Sequence, residues 1–175
     1  MKKSNEKIYL QLMSAPYFDD FEIVNQYYDI LDEEKRYILL INCSRKNNVK
    51  MFIDLHKKGY DIHYKEDDLF FFNIGLGNTK IVEYFLANGS NIAKASQRIF
   101  QVAIQGQQLK LLDLFIKKKF KISNVMLQWF DNYKKSMKQY DYYLEYLNHL
   151  EKKIQYYYLQ QELKIEKESI NYKKI

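Results

Sequence analysis

The side chains that could carry out chemistry are few, and they lie far apart in this sequence. His56, His63 and His149 stand singly, and none has a cysteine, a second histidine or a carboxylate at the spacing of a metal site. No serine or cysteine is accompanied by a recognisable base. The acidic pair Asp67-Asp68 is better explained as a helix start. The sequence therefore predicts no catalytic residue, no metal ligand and no cofactor, and a protein that is not an enzyme.

A glycine-containing stretch, Gly75–Lys80, superficially resembles a phosphate-binding loop. That motif needs four residues between its glycines and a strand before it. Here one residue separates the glycines and a helical pattern precedes them. Lys80 also aligns with Lys50 and Lys110 at thirty-residue intervals. We interpret the stretch as a turn between two helices.

The elements that must position these side chains repeat along the chain. Segments that begin at Gly59, Gly89 and Lys119 stand thirty residues apart. Sliding the chain by that period also brings large apolar positions into register, and we expect all of them to be buried. They are Leu40, Phe70 and Phe100 in one set, and Leu55, Phe85 and Phe115 in the other. A fixed period in this range is the signature of a repeat solenoid.

The middle copy shows what one repeat contains. An acidic start at Asp67-Asp68 precedes an apolar run that ends at Ile74, which predicts a first helix. After the turn, the apolar positions of Lys80–Asn88 follow helical spacing and predict a second helix. Gly89 can end that helix in the left-handed conformation. The predicted fold class is therefore all-α.

The second half of this copy resembles the ankyrin repeat. The residues Gly77-Asn78, Ile81-Val82, Phe85-Leu86 and Gly89-Ser90-Asn91-Ile92 follow the pattern G-H-x-x-V-V-x-x-L-L-x-x-G-A-D-I. The first half departs, since the family's T-P-L-H falls on Asp68-Leu69-Phe70-Phe71. The resemblance implies an ankyrin-like solenoid of about three full repeats, in which the bonds that Thr and His give are missing or replaced.

The period of thirty residues is shorter than the usual thirty-three, so the hairpins should be trimmed. In this respect the stretch Tyr60–Leu69 is similar to the ankyrin variant of amoeba-infecting giant DNA viruses of the mimivirus type. The resemblance implies a viral protein that acts in a host cell. It is nearly silent on the partner, because ankyrin arrays bind unrelated proteins.

We predict one repeat domain over residues 1–160. The first cap helix should end at Ala15-Pro16, and a long C-terminal helix should begin at about Tyr140 and fray somewhere after Gln160. The predicted segments are 5–36 for a degenerate N-terminal cap, 37–63, 64–93 and 94–123 for the repeats, 124–160 for a C-terminal cap and 161–175 for a frayed basic tail.

Composition and hydropathy indicate where the protein is expected to be located. The start of the sequence has no apolar signal-peptide core, and no apolar run approaches the length of a membrane span. Cys43 is the single cysteine, which fits a reducing compartment. We expect a monomer that is neither secreted nor bound to a membrane, in the host cytoplasm or the virion.

Charge divides the chain unevenly. Residues 1–116 carry fifteen basic and fifteen acidic side chains, whereas residues 117–175 carry thirteen and seven, together with nine of the 17 tyrosines. Lysines with stackable aromatics can hold nucleic acid, which makes a small nucleic-acid-binding protein the alternative function. A solvated lysine face on a helix whose tyrosines pack inward explains the same composition.

The first function that we expect is a protein–protein interaction scaffold with an unknown protein partner. Such arrays usually bind on their concave face, which the first helix of each repeat lines. Repeat register predicts the side chains that point there. They are Asn42, Arg45, Phe72, Gln101 and Gln105.

Overall fold

The computed structural model describes residues 2–93, 96–118 and 120–172. Within them the fold is all-helical and contains no strand. The helices are α1 (Lys2–Phe18), α2 (Phe21–Tyr27), the short 3-10 helix η1 (Tyr28–Ile30), α3 (Glu33–Arg45), α4 (Val49–Lys57), α5 (Tyr64–Leu76), α6 (Thr79–Ala87), α7 (Ser96–Gln105), α8 (Leu109–Lys117), α9 (Asn124–Ser136) and α10 (Asp141–Tyr172).

The chain forms two compact units. The first unit comprises Met1–Asn91 and Gln105–Gln108, and the second comprises Ile92–Ile104 and Leu109–Ile175. In the first unit, α1 packs on α2 and α3, α3 packs on α4 and α5, and α6 packs on α4 and α5. No described helix combines the length and the apolar character that crossing a bilayer requires.

The six apolar positions that the thirty-residue period aligns are all buried. In the first unit these are Leu40, Phe70, Leu55 and Phe85, and in the second unit Phe100 and Phe115, each no more than 1% exposed. Their predicted burial is confirmed.

Side-chain caps begin several helices where the sequence places them. A carboxylate oxygen of Asp20 accepts the backbone N–H of Ile23 at the start of α2, and Asp32 does the same for Lys35 in α3. Ser123 caps α9 through the N–H of Met126. Each cap satisfies one of the N–H groups that a helix start leaves unbonded.

Glycines follow the second helices of the repeats in left-handed conformation, as expected. Gly59 has a φ of +92° and Gly89 a φ of +109°. A side chain at such a φ is strained, which is why glycine suits the position. The third equivalent residue, Lys119, lies outside the described residues.

The first helix is longer than predicted. It continues to Phe18 and contains Pro16, so the expected break at Ala15-Pro16 is wrong. Proline costs a helix the hydrogen bond of its missing N–H, but Pro16 lies in the last turn. It is buried, and its carbonyl accepts a hydrogen bond from the Asn48 side chain at 3.2 Å.

The beginning of α5 also differs from the simple acidic start that we expected. Lys65, Glu66 and Asp67 have φ values of +56°, +56° and +64°, and the right-handed helix follows them. Left-handed backbone costs a non-glycine residue about 1–2 kcal/mol. The Lys65 ammonium is held by the Glu34 carboxylate at 2.9 and 3.0 Å, which helps to fix this turn.

In the second unit, α9 and α10 supply aromatic cover. The Phe130 side chain is buried, and the Trp129 ring lies 6.1 Å from the Phe100 ring, edge to face. Helix α10 buries Leu147, Leu150 and Ile154 and continues to Tyr172, past Gln160 where we expected it to fray.

Replacing Phe85 by alanine should lower the free energy of unfolding by about 3–5 kcal/mol, because the side chain is 0% exposed and leaves a cavity. The matched control is Phe18→Ala, where the ring is 78% exposed and the change should stay within about 0.5 kcal/mol. Urea unfolding followed by circular dichroism measures both values. Equal effects at the two positions would contradict the assigned core.

Deletion of residues 123–175 should uncover the Phe100 ring and leave the second unit without its aromatic cover. The expected product aggregates or unfolds in part, because apolar side chains that α9 and α10 cover would face water. Size-exclusion chromatography and thermal melting report the outcome. A soluble fragment 1–122 with one cooperative transition would show that α9 and α10 are not a cap.

Candidate functional site

The five side chains predicted to meet a partner do not form one exposed group. Asn42 is buried, and its amide donates to the Met13 carbonyl at 2.9 Å, so it fixes α1 on α3. Arg45, also on α3, is exposed. Phe72 on α5 is half-buried, as is Gln101 of the second unit, while Gln105 at the end of α7 is exposed.

An exposed apolar surface lies on α1, which we call the α1 patch. It consists of Leu10, Met13, Tyr17 and Phe18, of which Leu10 is 61% and Phe18 78% exposed. The Lys46 ammonium lies 4.7 Å from the centre of the Tyr17 ring and borders the patch. The opposite side of α1 is buried, so the helix is apolar on two sides.

Sequence reasoning missed the α1 patch because it ended the helix at Pro16. With the helix extended, Leu10, Met13 and Tyr17 follow the three- and four-residue spacing of one helical side. Leu12 and Ala15 then occupy the other side, where both are buried. The signal was present in the sequence as a second apolar stripe.

His63 forms the most constrained polar contact of the first unit. Its Nδ1 faces a carboxylate oxygen of Asp67, and its Nε2 lies 3.0 Å from the Asn88 carbonyl oxygen. Both partners accept hydrogen bonds, so both ring nitrogens must donate. The imidazolium is the form of His63 that satisfies both contacts, and it links the start of α5 to the end of α6. The i, i+4 spacing of His63 and Asp67 was a signal that we had set aside.

The surroundings of the two nearby histidines act in opposite directions. Burial opposes the charge of His63, but hydrogen bonds to Asp67 and the Asn88 carbonyl, with the charges of Asp67 and Asp61, raise its pKa overall. Burial and the charge of His63 lower the pKa of His56, against the effect of Asp61. The His56 Nδ1 lies 2.7 Å from the Tyr84 hydroxyl.

The surroundings of Cys43 and His63 constrain what these two side chains can do. Burial raises the pKa of the Cys43 thiol, which disfavours a nucleophilic thiolate. Nowhere in the described residues do three His, Cys, Asp or Glu side chains gather as a metal ion would need. The Nε2 of His63 is occupied by the Asn88 carbonyl and so faces no nucleophile.

The Gly75–Lys80 stretch contains the interpreted turn, but the turn is limited to Gly77-Asn78, because α5 continues to Leu76 and α6 begins at Thr79. Gly77 ends α5 with a φ of +76°, and the Gln108 amide donates to the Gly75 carbonyl at 3.3 Å. A Cβ on Gly77 would collide with the Gln108 side chain. The space where a phosphate would have to approach this turn is therefore filled by Gln108.

A buried polar network joins α3 to α5 and to the turn before α6. The Asn73 amide donates to the Ser44 hydroxyl at 2.9 Å and to the Leu69 carbonyl at 2.8 Å. The Asn78 amide donates to the Ser44 carbonyl at 2.6 Å and to the Asn73 side-chain oxygen at 2.8 Å. These bonds hold α3, α5 and the turn before α6 together in the first unit.

Comparisons with protein-family models, with curated proteins and with solved structures gave no match to this chain. The site must therefore be interpreted from its own geometry. That geometry offers the exposed α1 patch and the contacts of His63 with Asp67 and the Asn88 carbonyl, which we call the His63 clamp.

The His63 clamp predicts a pH-dependent stability. Because its folded pKa is raised above the unfolded value of 6.5, the stabilisation is fully present below that value and is lost as pH rises through the folded pKa. The melting temperature of the wild type should therefore exceed that of His63→Gln by more at about pH 5.5 than at about pH 8.5, on either side of the usual histidine pKa.

His56→Gln serves as the control for this measurement. Its folded pKa is lowered, so the difference from the wild type should change with pH in the opposite direction. Differential scanning calorimetry at both pH values gives the two differences. The clamp is refuted if the His63→Gln difference is independent of pH.

Proposed function

We propose that this chain is a non-enzymatic scaffold for protein–protein interaction, built as an ankyrin-like solenoid of about three repeats with capping helices. Support comes from helix pairs that bury the same positions at thirty-residue intervals, Leu55 and Phe85 among them. Left-handed glycines after the second helices, as at Gly59 and Gly89, agree with such a repeat.

The observation that carries the binding role is the α1 patch. Its large side chains Leu10 and Phe18 are more than half exposed on a helix that buries Leu12 and Ala15 on another side. Contiguous exposed apolar side chains mark interaction sites, whereas scattered ones need no explanation. Arg45 and Lys46 follow on the neighbouring helix α3 and would form a basic edge to the contact.

The viral and intracellular parts of the proposal depend on the resemblance to giant-virus ankyrin proteins alone. They extend the proposed function to a viral protein that engages a host protein.

The test is affinity capture from extracts of amoebal host cells, with proteins quantified by mass spectrometry. We expect the tagged wild type to retain a defined partner. The double variant Leu10→Ser, Phe18→Ser should retain at least tenfold less of that partner, because both substitutions remove an apolar side chain from the contact. Both positions are exposed, so the fold should survive the substitutions.

The control is Val125→Ser with Leu159→Ser, at side chains that are 56% and 58% exposed elsewhere. This variant should retain the partner. Equal loss from both variants, or no partner captured by the wild type, would contradict a binding role for the α1 patch.

A further inference from the structure

The long helix α10 has an outer side that its packing does not explain. Tyr142, His149 and Tyr156 recur at seven-residue intervals and are all exposed, Tyr142 to 82% and Tyr156 to 59%. Seven residues return a helix to nearly the same side, with a drift of about 20°. These three rings and Lys152 between them form what we call the outer face of α10.

Lysines from the end of α8 stand beside this face. The Asp113 carboxylate on α8 accepts from Lys153 Nζ at 2.7 Å and from the Tyr157 hydroxyl at 2.6 Å, so α8 runs along this edge of α10. Lys117 lies one turn after Asp113 on the same helix. Lys121 precedes Ile122, whose backbone N–H donates to the Gln161 side chain on α10 at 3.1 Å.

The charge at this place is one-sided. Lys117, Lys118, Lys121 and Lys152 are exposed and form no ion pair with a described residue. Two nearby acidic groups are paired: Asp113 is bound by Lys153, and Glu151 by Lys134 at 2.6 Å.

Helical rotation moves most other acidic side chains of α10 away from the outer face. At 100° per residue, Glu162 and Glu166 lie roughly 100° or more from it. Glu145 shares the face next to its first tyrosine, and Asp141, eleven residues before Lys152, lies about 20° from that lysine, so two carboxylates oppose the four lysines.

We propose that the outer face of α10, with Lys117, Lys118 and Lys121, is a binding surface for single-stranded nucleic acid. The lysines would contact phosphates, and the exposed rings would stack on unpaired bases. A duplex offers its phosphates but hides its base faces, so the tyrosines favour a single strand. This surface is independent of the α1 patch and of the proposed scaffold function.

The experiment is fluorescence anisotropy of the full chain with a labelled single-stranded RNA of mixed sequence, about 20 nucleotides long, over a range of salt concentrations. We expect a dissociation constant of about 10⁻⁶–10⁻⁴ M at physiological salt. With four lysines on phosphates, the slope of log affinity against log salt should be about −3, at about −0.7 per contact.

Lys117→Gln, Lys118→Gln and Lys121→Gln together should reduce this slope to about −1 and weaken binding accordingly. The control is the triple variant of Lys50, Lys57 and Lys80 to glutamine, which removes the same charge at exposed positions on α4 and α6 of the first unit. It should keep most of the slope. An equal loss of RNA affinity in both triple variants would show that net charge alone causes the binding, and it would overturn the assigned surface.

Tyr142→Ala with Tyr156→Ala should weaken binding at least tenfold, whereas the phenylalanine pair at the same positions should retain it because stacking needs only the ring. Circular dichroism verifies that the helices persist in both variants. The proposal is overturned if the wild type does not bind at low salt. It is also overturned if polyglutamate competes as well as RNA and the alanine pair has no effect, since the surface would then suit an acidic protein.

Discussion

The short helices of this chain depend on burying their apolar sides. Helices α4, α6 and α8 have nine residues each, a length at which an isolated helix is marginal in water. Each therefore gains most of its stability from tertiary packing, through Leu55, Phe85 and Phe115, which are all 0% exposed. This requirement explains the thirty-residue period of the sequence, because each pair of helices must place apolar side chains at the same positions to be buried.

Apolar burial alone does not fix how one helix pair meets the next. In the first unit that task falls to directional bonds between Ser44, Asn73 and Asn78, all of them buried. Each amide has partners within 3 Å, so the network avoids the penalty of an unbonded buried polar group. Sliding one helix pair past the other would leave these groups unsatisfied, and this penalises any other register.

Local signals predicted much of the fold, and distant contacts explain the rest. The helical class, the caps at Asp20 and Asp32 and the burial of the repeated apolar positions follow from neighbouring residues. The anchoring of Asn42 to Met13 does not, since the two lie 29 residues apart. That contact buries a side chain that repeat register had assigned to a partner surface. The domain boundaries stay predictions.

The turn before α5 shows a second reason for a missed contact. Asp67 was expected to begin a helix, where its carboxylate would cap backbone N–H groups. Its left-handed conformation directs the carboxylate to His63 and, at 3.5 Å, to the Ser90 hydroxyl. No propensity predicts three consecutive left-handed non-glycine residues, because the local cost is offset only by contacts made in the folded chain.

The tyrosines of α10 show why composition could not decide between packing and binding. Adjacent residues on a helix point about 100° apart. Tyr143 thus turns inward and donates to the Ile104 carbonyl at 3.2 Å, while Tyr142 is 82% exposed. Burial raises the pKa of Tyr146 to about 12, as expected of a ring in the core. Composition alone would place tyrosines without regard to the side of the helix, and Tyr143, Tyr146, Tyr157 and Tyr158 are partly buried. The exposed rings lie on the same side of α10 as lysine. Composition does not require this clustering, so the clustering is what favours a binding surface.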